Sequence, residues 1–362
     1  MYKGKVAIFT KPGTPIQIVE EDSPEPGPNE ILVRMTMAGV CGSDAHRLHG
    51  DIAAPLKPIC FGHEVVGDIV ALGSDIKVDR MGTPLAIGDS LYWLPSTPCG
   101  ECWECSISNP LHCKSLNWPV AAGGPNGAGI REYATVNHKA TYIKVPPGTS
   151  PEAVIAFGCA MPTALRAMAK AGPIGPDTHV VIQGSGPVGL AATLLASIAK
   201  PKNVIVLGGP DHRLEIAKSL GATTTLSIFD TSVKERYEKI KELTGGRLAT
   251  LVVEAAGAPP AFPEGFELLG MNGVFLIVGL YSGSAVTPID PIRINNYNLQ
   301  IKGSLGIGVD DYQQAVDIAT QHGKSRNLEA LVTHRYPLSK LEDALNDVAK
   351  AIPVKAVIVP DS

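Results

Sequence analysis

The sequence predicts an α/β protein in two parts: a β-rich N-terminal domain, and an inserted domain built on a doubly wound parallel sheet. Three observations carry this. The chain has 362 residues, and a domain usually holds about 100–200. Near Pro151 the texture changes from short strands cut by turns to apolar helices alternating with short Val/Ile/Leu runs. One of those runs, His179–Gln183, leads into Gly184-Ser185-Gly186-Pro187-Val188-Gly189 and then into a helix. The expected extents are residues 1–160 with 301–362 for the first domain and 161–300 for the inserted one.

Along the first domain, alternation in Glu30-Ile31-Leu32-Val33-Arg34-Met35 and over residues 64–70 predicts half-buried strands. Proline-rich breaks at residues 23–28 and at Pro146-Pro147-Gly148 punctuate them. In the inserted domain, helices over 164–170 and 190–200 alternate with strands over 179–183, 203–207, 249–253 and 273–279. Such unbroken apolar runs mark a parallel sheet covered on both faces. Beyond residue 301 the mixed texture returns, with helices near 311–320 and 338–351 in a tail that rejoins the first domain.

Composition narrows the function classes. A net charge of −4 gives no electrostatic footprint for nucleic acid. With 44% hydrophobic and only 18% charged residues, the chain can build a sizeable core. The 38 glycines and 30 prolines point to many turns and tight loops. The start, MYKGKVAIFT, has no signal-peptide pattern, and apolar stretches such as residues 274–278 fall far short of the ~20 needed to span a bilayer. The end, Val359-Pro360-Asp361-Ser362, carries no lipidation or peroxisomal signal, so the cytoplasm is the expected compartment and no membrane partner is expected.

The glycine loop has its mechanism in backbone geometry. Gly184 makes the turn, Gly186 lets a pyrophosphate approach the main chain, and Gly189 allows close helix–strand packing. The helix N-terminus offers unpaired N–H groups, with Ser185, Pro187 and Val188 around them. A ribose-binding acid is expected about 20 positions on. The strand Val204-Ile205-Val206-Leu207 ends instead in Gly208-Gly209-Pro210, followed by Asp211, His212 and Arg213. A missing acid removes repulsion against a 2′-phosphate, and Arg213 offers positive charge. Gly209 and Pro210 offer a phosphate no side-chain donors, so NAD and NADP remain open.

Seven cysteines argue against a fully paired disulfide framework. Cys99, Cys102, Cys105 and Cys113 fall in one loop, a spacing that can close a tetrahedron around structural zinc. The bacterial iron–sulfur pattern places the fourth cysteine sooner and before a proline, whereas Lys114 follows Cys113. A second constellation is split: Cys41-Gly42-Ser43-Asp44-Ala45-His46, then Gly62-His63-Glu64, then Phe157-Gly158-Cys159-Ala160. It offers two thiolates and an imidazole with carboxylates beside them. Three protein ligands plus an open position is how catalytic zinc is held.

In these motifs, together with Gly88-Asp89 and Arg213-Leu214-Glu215, the chain resembles the zinc-dependent medium-chain alcohol dehydrogenases of the medium-chain dehydrogenase/reductase superfamily, from about Lys3 to the C-terminus. The resemblance implies a GroES-like catalytic domain and a Rossmann domain, two zinc ions per chain, and NAD or NADP. It implies that Cys41, His63 and Cys159 bind the catalytic zinc, with Glu64 near enough to exchange with a ligand. Ser43 matches the hydroxyl that touches the alcohol, and His46 the outer end of a proton relay. Asp44 matches the carboxylate that fixes the tautomer of His63. Val278, Gly279 and Leu280 match backbone that meets the nicotinamide, Arg213 a basic residue near the adenosine ribose, and Lys355 a pyrophosphate-binding residue. Two positions depart from the pattern. Gly42 replaces a phosphate-binding Arg of certain relatives, and Gly208 an Asp usual where NAD is preferred.

The implied activity is interconversion of an alcohol with its aldehyde or ketone by hydride transfer, with zinc as Lewis acid. Relatives in the polyol and threonine branches usually have Glu before Pro where this chain has Cys159-Ala160, which favours the alcohol branch over a polyol, sugar or threonine dehydrogenase. A zinc-free, quinone-reductase-like member or a non-catalytic zinc-binding relative, and a metal-binding regulator that senses redox state through the four-cysteine lobe, are the rivals. Tyr92, Trp93 and Trp118, with the loop at residues 94–96, are either pocket lining or core. Cys60 is left as an ordinary thiol. Family relatives are dimers or tetramers, and residues 299–307 offer a strand for pairing across a subunit interface.

Overall fold

The computed structural model describes residues 1–52, 55, 57–107, 109–117, 128–281 and 286–361; Trp118 lies outside them. The chain forms two compact units, residues 1–162 with 306–362, and residues 163–305. The expected limits at 160 and 301 thus move to 162 and 306.

In the first unit, strand Glu30–Gly39 is the axis. It pairs antiparallel with Val65–Leu72, with Tyr133–Asn137 and, near its end, with Lys355–Val359. Ser90–Leu94, Thr141–Lys144 and Val332–Pro337 complete a seven-stranded sheet. Ile31, Leu32 and Val33 are all 0% exposed, so the strand is covered on both faces rather than half-buried as its alternation predicts. The helix Pro151–Ile155 packs on this strand and on Val65–Leu72, which accounts for the added burial. A smaller sheet of Gln17–Ser23, Tyr2–Phe9 and Ile59–Cys60 completes the unit's sheets. The C-terminal strand enters the main sheet with Val357 opposite Gly39 and Ile358 opposite Ala38. That register carries Lys355 to the end of Glu30–Gly39.

In the second unit the six strands are β1 (His179–Gln183), β2 (Asn203–Gly208), β3 (Thr224–Ser227), β4 (Ala249–Glu254), β5 (Leu269–Ile277) and β6 (Gln300–Gly303). All pair in parallel, in the order β3-β2-β1-β4-β5-β6. This is the doubly wound dinucleotide-binding order, with its switch point between β1 and β4. Val181, Ile205, Val252 and Phe275 are 0% exposed, as the unbroken apolar runs require. The short strands β3, Thr-Thr-Leu-Ser, and β6, Gln-Ile-Lys-Gly, have no apolar run, and periodicity does not find β3. Among the described residues no helix is long and apolar enough to cross a membrane.

Candidate functional site

Helix α1 (Gly42–His49) starts directly after strand Glu30–Gly39, with Cys41 as its N-cap in extended conformation. Asp44, in the first turn, accepts the Cys41 N–H at 3.1 Å. Its other carboxylate oxygen lies 3.4 Å from His63 Nδ1. One buried carboxylate therefore caps the helix and orients the imidazole. The Cys41 and Cys159 sulfurs are 3.7 Å apart. Ligand atoms of Cys41, His63, Glu64 and Cys159 all lie within 4.8 Å of one another.

This donor set fits zinc. A tetrahedron with Zn–S bonds of ~2.3 Å has edges of about 3.8 Å, close to the sulfur separation, while a disulfide needs ~2.05 Å. The two thiols share a proton: a hydrogen bond from Cys159 holds the Cys41 thiol down to about 5 against burial, and the same contact pushes the Cys159 thiol up. The thiolate is the form that binds metal.

Glu64 is 1% exposed; its Oε1 accepts the Cys159 N–H at 2.9 Å and its Oε2 meets the Lys355 ammonium. Burial is the largest single influence and disfavours the carboxylate, but the Lys355 and His63 charges, with hydrogen bonds from Lys355 and Cys159, together hold the Glu64 pKa below its ordinary value. Burial likewise opposes the Lys355 ammonium, and Glu64 raises its pKa above the usual lysine range. This corrects the expectation for Lys355. Its ammonium is 2% exposed on the Glu64 carboxylate, so it is committed to an internal ion pair and presents no cation to a pyrophosphate.

Ser43 is half-buried in the first turn of α1 and His46 is exposed one turn on. The His46 ring Nδ1 lies 2.9 Å from Asp51 Oδ2, a partner that no motif announces. Tyr92 and Trp93 are both 0% exposed and belong to the core. The Tyr92 ring stacks on Tyr312 at 4.7 Å between centroids, and the Tyr312 hydroxyl donates to the His63 carbonyl at 3.4 Å. Tyr312 sits in a segment with no motif, and sequence reasoning missed it.

The four-cysteine lobe is built around helix α2 (Trp103–Ser106). Its sulfurs lie 3.4 Å apart for Cys113 and Cys99, 3.5 Å for Cys102 and Cys105, and 4.0 Å for Cys99 and Cys105. These are again zinc-tetrahedron edges. The N–H of Cys99 donates to Cys113 Sγ at 3.3 Å, and that of Cys102 to Cys99 Sγ at 3.4 Å. Backbone N–H groups, that of Glu101 first, bring the Cys99 thiol down to about 6. Cys60 stands apart, donating to the Ile130 carbonyl at 3.3 Å, and burial pushes its thiol up to about 12.

In the second unit, Gly184 follows β1 with a positive φ of 105°, and Gly186 is the N-cap of helix α3 (Pro187–Ile198). A Cβ on Gly189 would lie 1.9 Å from the Gly184 carbonyl oxygen, so only glycine allows this helix to pack so closely. Ser185 Oγ accepts the Gly209 N–H at 3.0 Å and donates to the Gly209 carbonyl at 2.9 Å, tying the loop to the end of β2. A Cβ on Gly208 would lie 2.6 Å from that Oγ. Where an acid was expected, the serine occupies the space. Arg213 is half-buried in helix α4 (Asp211–Ser219), and burial lowers its pKa. Val278 and Gly279 donate their N–H groups to the Glu254 carbonyl, and Leu280 is 56% exposed.

Residues 27–147 match the family described as alcohol dehydrogenase GroES-like domain, and residues 187–321 match zinc-binding dehydrogenase. The chain is 38% identical over 334 residues to the 5-exo-hydroxycamphor dehydrogenase of Pseudomonas putida, covering 92% of each protein. The crystal structure of an alcohol dehydrogenase from Thermotoga maritima superposes with a TM-score of 0.90, at 29% identity and 100% coverage of both chains. A zinc-binding dehydrogenase from Sinorhizobium meliloti, solved bound to NADP, superposes at 0.84 with 25% identity, over 99% of this chain and 100% of that one.

Proposed function

The chain belongs to the zinc-dependent medium-chain alcohol dehydrogenases, and on that premise we propose that it interconverts an alcohol and its aldehyde or ketone with NAD or NADP. A ring-borne secondary alcohol is the substrate class to expect first, as named for the Pseudomonas putida relative. The observation that carries the reading is the gathering of Cys41, His63 and Cys159, with Glu64, from three distant segments to within 4.8 Å. Two zinc ions per chain fit the two donor sets: three ligands and an open position here, and a closed four-cysteine site in the lobe.

Zinc at the first site supplies Lewis acidity that lets an alcohol lose its proton near neutral pH, and the dinucleotide supplies the hydride chemistry. The chain's own residues do the rest. Ser43, half-buried beside Cys41, would accept the hydroxyl proton of the substrate while giving up its own, so that the proton is relayed onward toward solvent. His46, exposed and held by Asp51, exchanges a proton with solvent, a role its imidazole suits. Asp44 holds His63 in one orientation. Glu64, fixed between Lys355 and the Cys159 N–H, places a carboxylate next to the ligands.

The second unit is the cofactor-binding half of the proposal, through Gly184–Gly189 and the backbone of Val278, Gly279 and Leu280. Gly208 leaves no carboxylate at the end of β2 to repel a 2′-phosphate. The edge position of β6 supports pairing with a second copy, hence a homodimer or a tetramer. The gathering of cysteines into two metal-type donor sets supports a reducing compartment, the cytoplasm.

The test is a panel of primary, alicyclic secondary and polyol substrates read at 340 nm, with NAD and NADP run separately on zinc-loaded protein. Cofactor reduction with a simple or alicyclic alcohol is expected, and Cys159→Ala abolishes it. Protein that holds its zinc yet reduces neither cofactor with any alcohol refutes the reading, and turnover confined to polyols moves the chain to the polyol branch.

A further inference from the structure

Strand β4 ends in a carboxylate that no motif singles out. Glu254 is 0% exposed. Its Oε1 accepts the N–H groups of Ala256 and Gly257, each at 2.8 Å. Its main-chain carbonyl accepts the N–H of Val278 at 2.8 Å and of Gly279 at 2.9 Å. The side chain thus orders the loop after β4, and that loop packs on the loop after β5: a Cβ on Gly257 would lie 2.6 Å from the Leu280 carbonyl oxygen, and one on Gly279 2.3 Å from the Gly257 nitrogen and 2.5 Å from Glu254 Oε2. Both loops leave the C-terminal ends of their strands, and β4 borders the switch point, where open α/β sheets bind their ligands.

This junction is also an unusual place for an acid. Glu254 Oε2 and the Tyr281 hydroxyl are both buried and close enough to act on each other, without a well-formed hydrogen bond to either among the described residues. Burial raises the pKa of Glu254, and burial together with the Glu254 charge raises that of Tyr281. A carboxyl in so dry a place is costly unless its bonds secure something.

We propose that Glu254 is a positioning residue for the nicotinamide end of the cofactor, presetting the backbone of Val278, Gly279 and Leu280 before the dinucleotide arrives. This rests on the reading that the second unit binds NAD or NADP with those residues at the nicotinamide. Ordering the two loops during folding spares that cost at binding, which is how preorganisation raises affinity. The adenosine half, held at Gly184–Gly189 and the end of β2, lies outside these two loops.

That division supplies the test. Zinc-loaded wild type, Glu254→Gln and Glu254→Ala are titrated calorimetrically with NADH or NADPH, whichever the wild type binds tighter. The same proteins are titrated with ADP-ribose or its 2′-phosphate, which lack the nicotinamide. Glu254→Ala frees two N–H groups and weakens the dinucleotide about tenfold or more, while ADP-ribose stays within about twofold. Glu254→Gln keeps an acceptor oxygen and stays within about threefold of wild type for both. Should Glu254→Ala not fold, Glu254→Asp, whose carboxyl is drawn back by one methylene, is read against the same expectations. Equal weakening of both ligands, or an unchanged dinucleotide affinity, overturns the proposal. Wild type that binds neither ligand refutes the dinucleotide reading itself.

Discussion

Replacing Lys355 by methionine removes a cation that sits with its partner almost wholly out of water. Lys355 and Glu64 side chains are 2% and 1% exposed. In Lys355→Met the Glu64 carboxylate keeps the Cys159 N–H at 2.9 Å but loses its counter-charge. In Glu64→Gln that N–H bond can persist, and Lys355 is left with the Val40 carbonyl at 3.5 Å. Breaking a buried pair from one side costs about 3–5 kcal/mol, because the other charge stays buried and uncompensated. The double variant carries no buried charge at this pair, and such replacements are often neutral or stabilising by about 1–4 kcal/mol. The expected cycle is therefore strongly non-additive, with two costly singles and a double near wild type. Guanidinium unfolding of the zinc-loaded protein, followed by tryptophan fluorescence, measures it. The described tryptophans, Trp93 and Trp103, belong to the first unit, so their signal reports the unit that holds the pair. A Lys355→Met loss below about 1 kcal/mol, or a double as costly as the two singles together, refutes the buried-pair account.

Asp44→Asn removes the charge behind His63 and is expected to weaken zinc retention at the first site about 10–100-fold, read by competition with a chromophoric chelator; an unchanged affinity removes Asp44 from that role. On the proposed reading of two zinc ions per chain, Cys113→Ser opens the lobe tetrahedron, and metal analysis is expected to fall from two toward one while the site of Cys41, His63 and Cys159 keeps its ion; two retained ions would contradict the closed site. Gly208→Asp drives a Cβ to within 2.6 Å of Ser185 Oγ, and ADP-ribose binding should weaken by about tenfold or more. Adding Ser185→Gly should recover most of that loss, and tighter NAD binding by Gly208→Asp alone would show that the position is open.

Much of the second unit was legible because its chemistry is local. A parallel strand buried on both faces must be apolar throughout, so His179–Gln183 and Asn203–Gly208 announce themselves. The glycines of the loop are required by approaches within a few residues, as Gly189 against the Gly184 carbonyl shows. The four-cysteine lobe is equally local, its donors all falling within one loop. Edge strand β3 was invisible because its Thr-Thr-Leu-Ser sequence has half-buried residues and no periodic signal. Glu254 was invisible for another reason. Its partners Ala256 and Gly257 are close in sequence, but Val278 and Gly279 reach it only through the pairing of β4 with β5.

Lys355 shows where sequence spacing stops informing. Its neighbourhood is set by a strand register: Val357 stands opposite Gly39, and Lys355 follows two residues along toward Val40. Glu64 arrives from the other side, since Val65 pairs with Ala38 and the Glu64 carbonyl accepts the Gly39 N–H at 2.7 Å. A slip of one residue in the tail strand would turn Lys355 to the opposite face of the sheet and put a neighbour against the Glu64 carboxylate. The metal-site carboxylate is thus secured by the last strand of the chain, and the tail is a working part of the candidate site rather than a cover for it. A lysine read one motif at a time has no such partner in view. Only the antiparallel pairing of Lys355–Val359 with Glu30–Gly39 supplies it, which ties the candidate metal site to closure of that sheet.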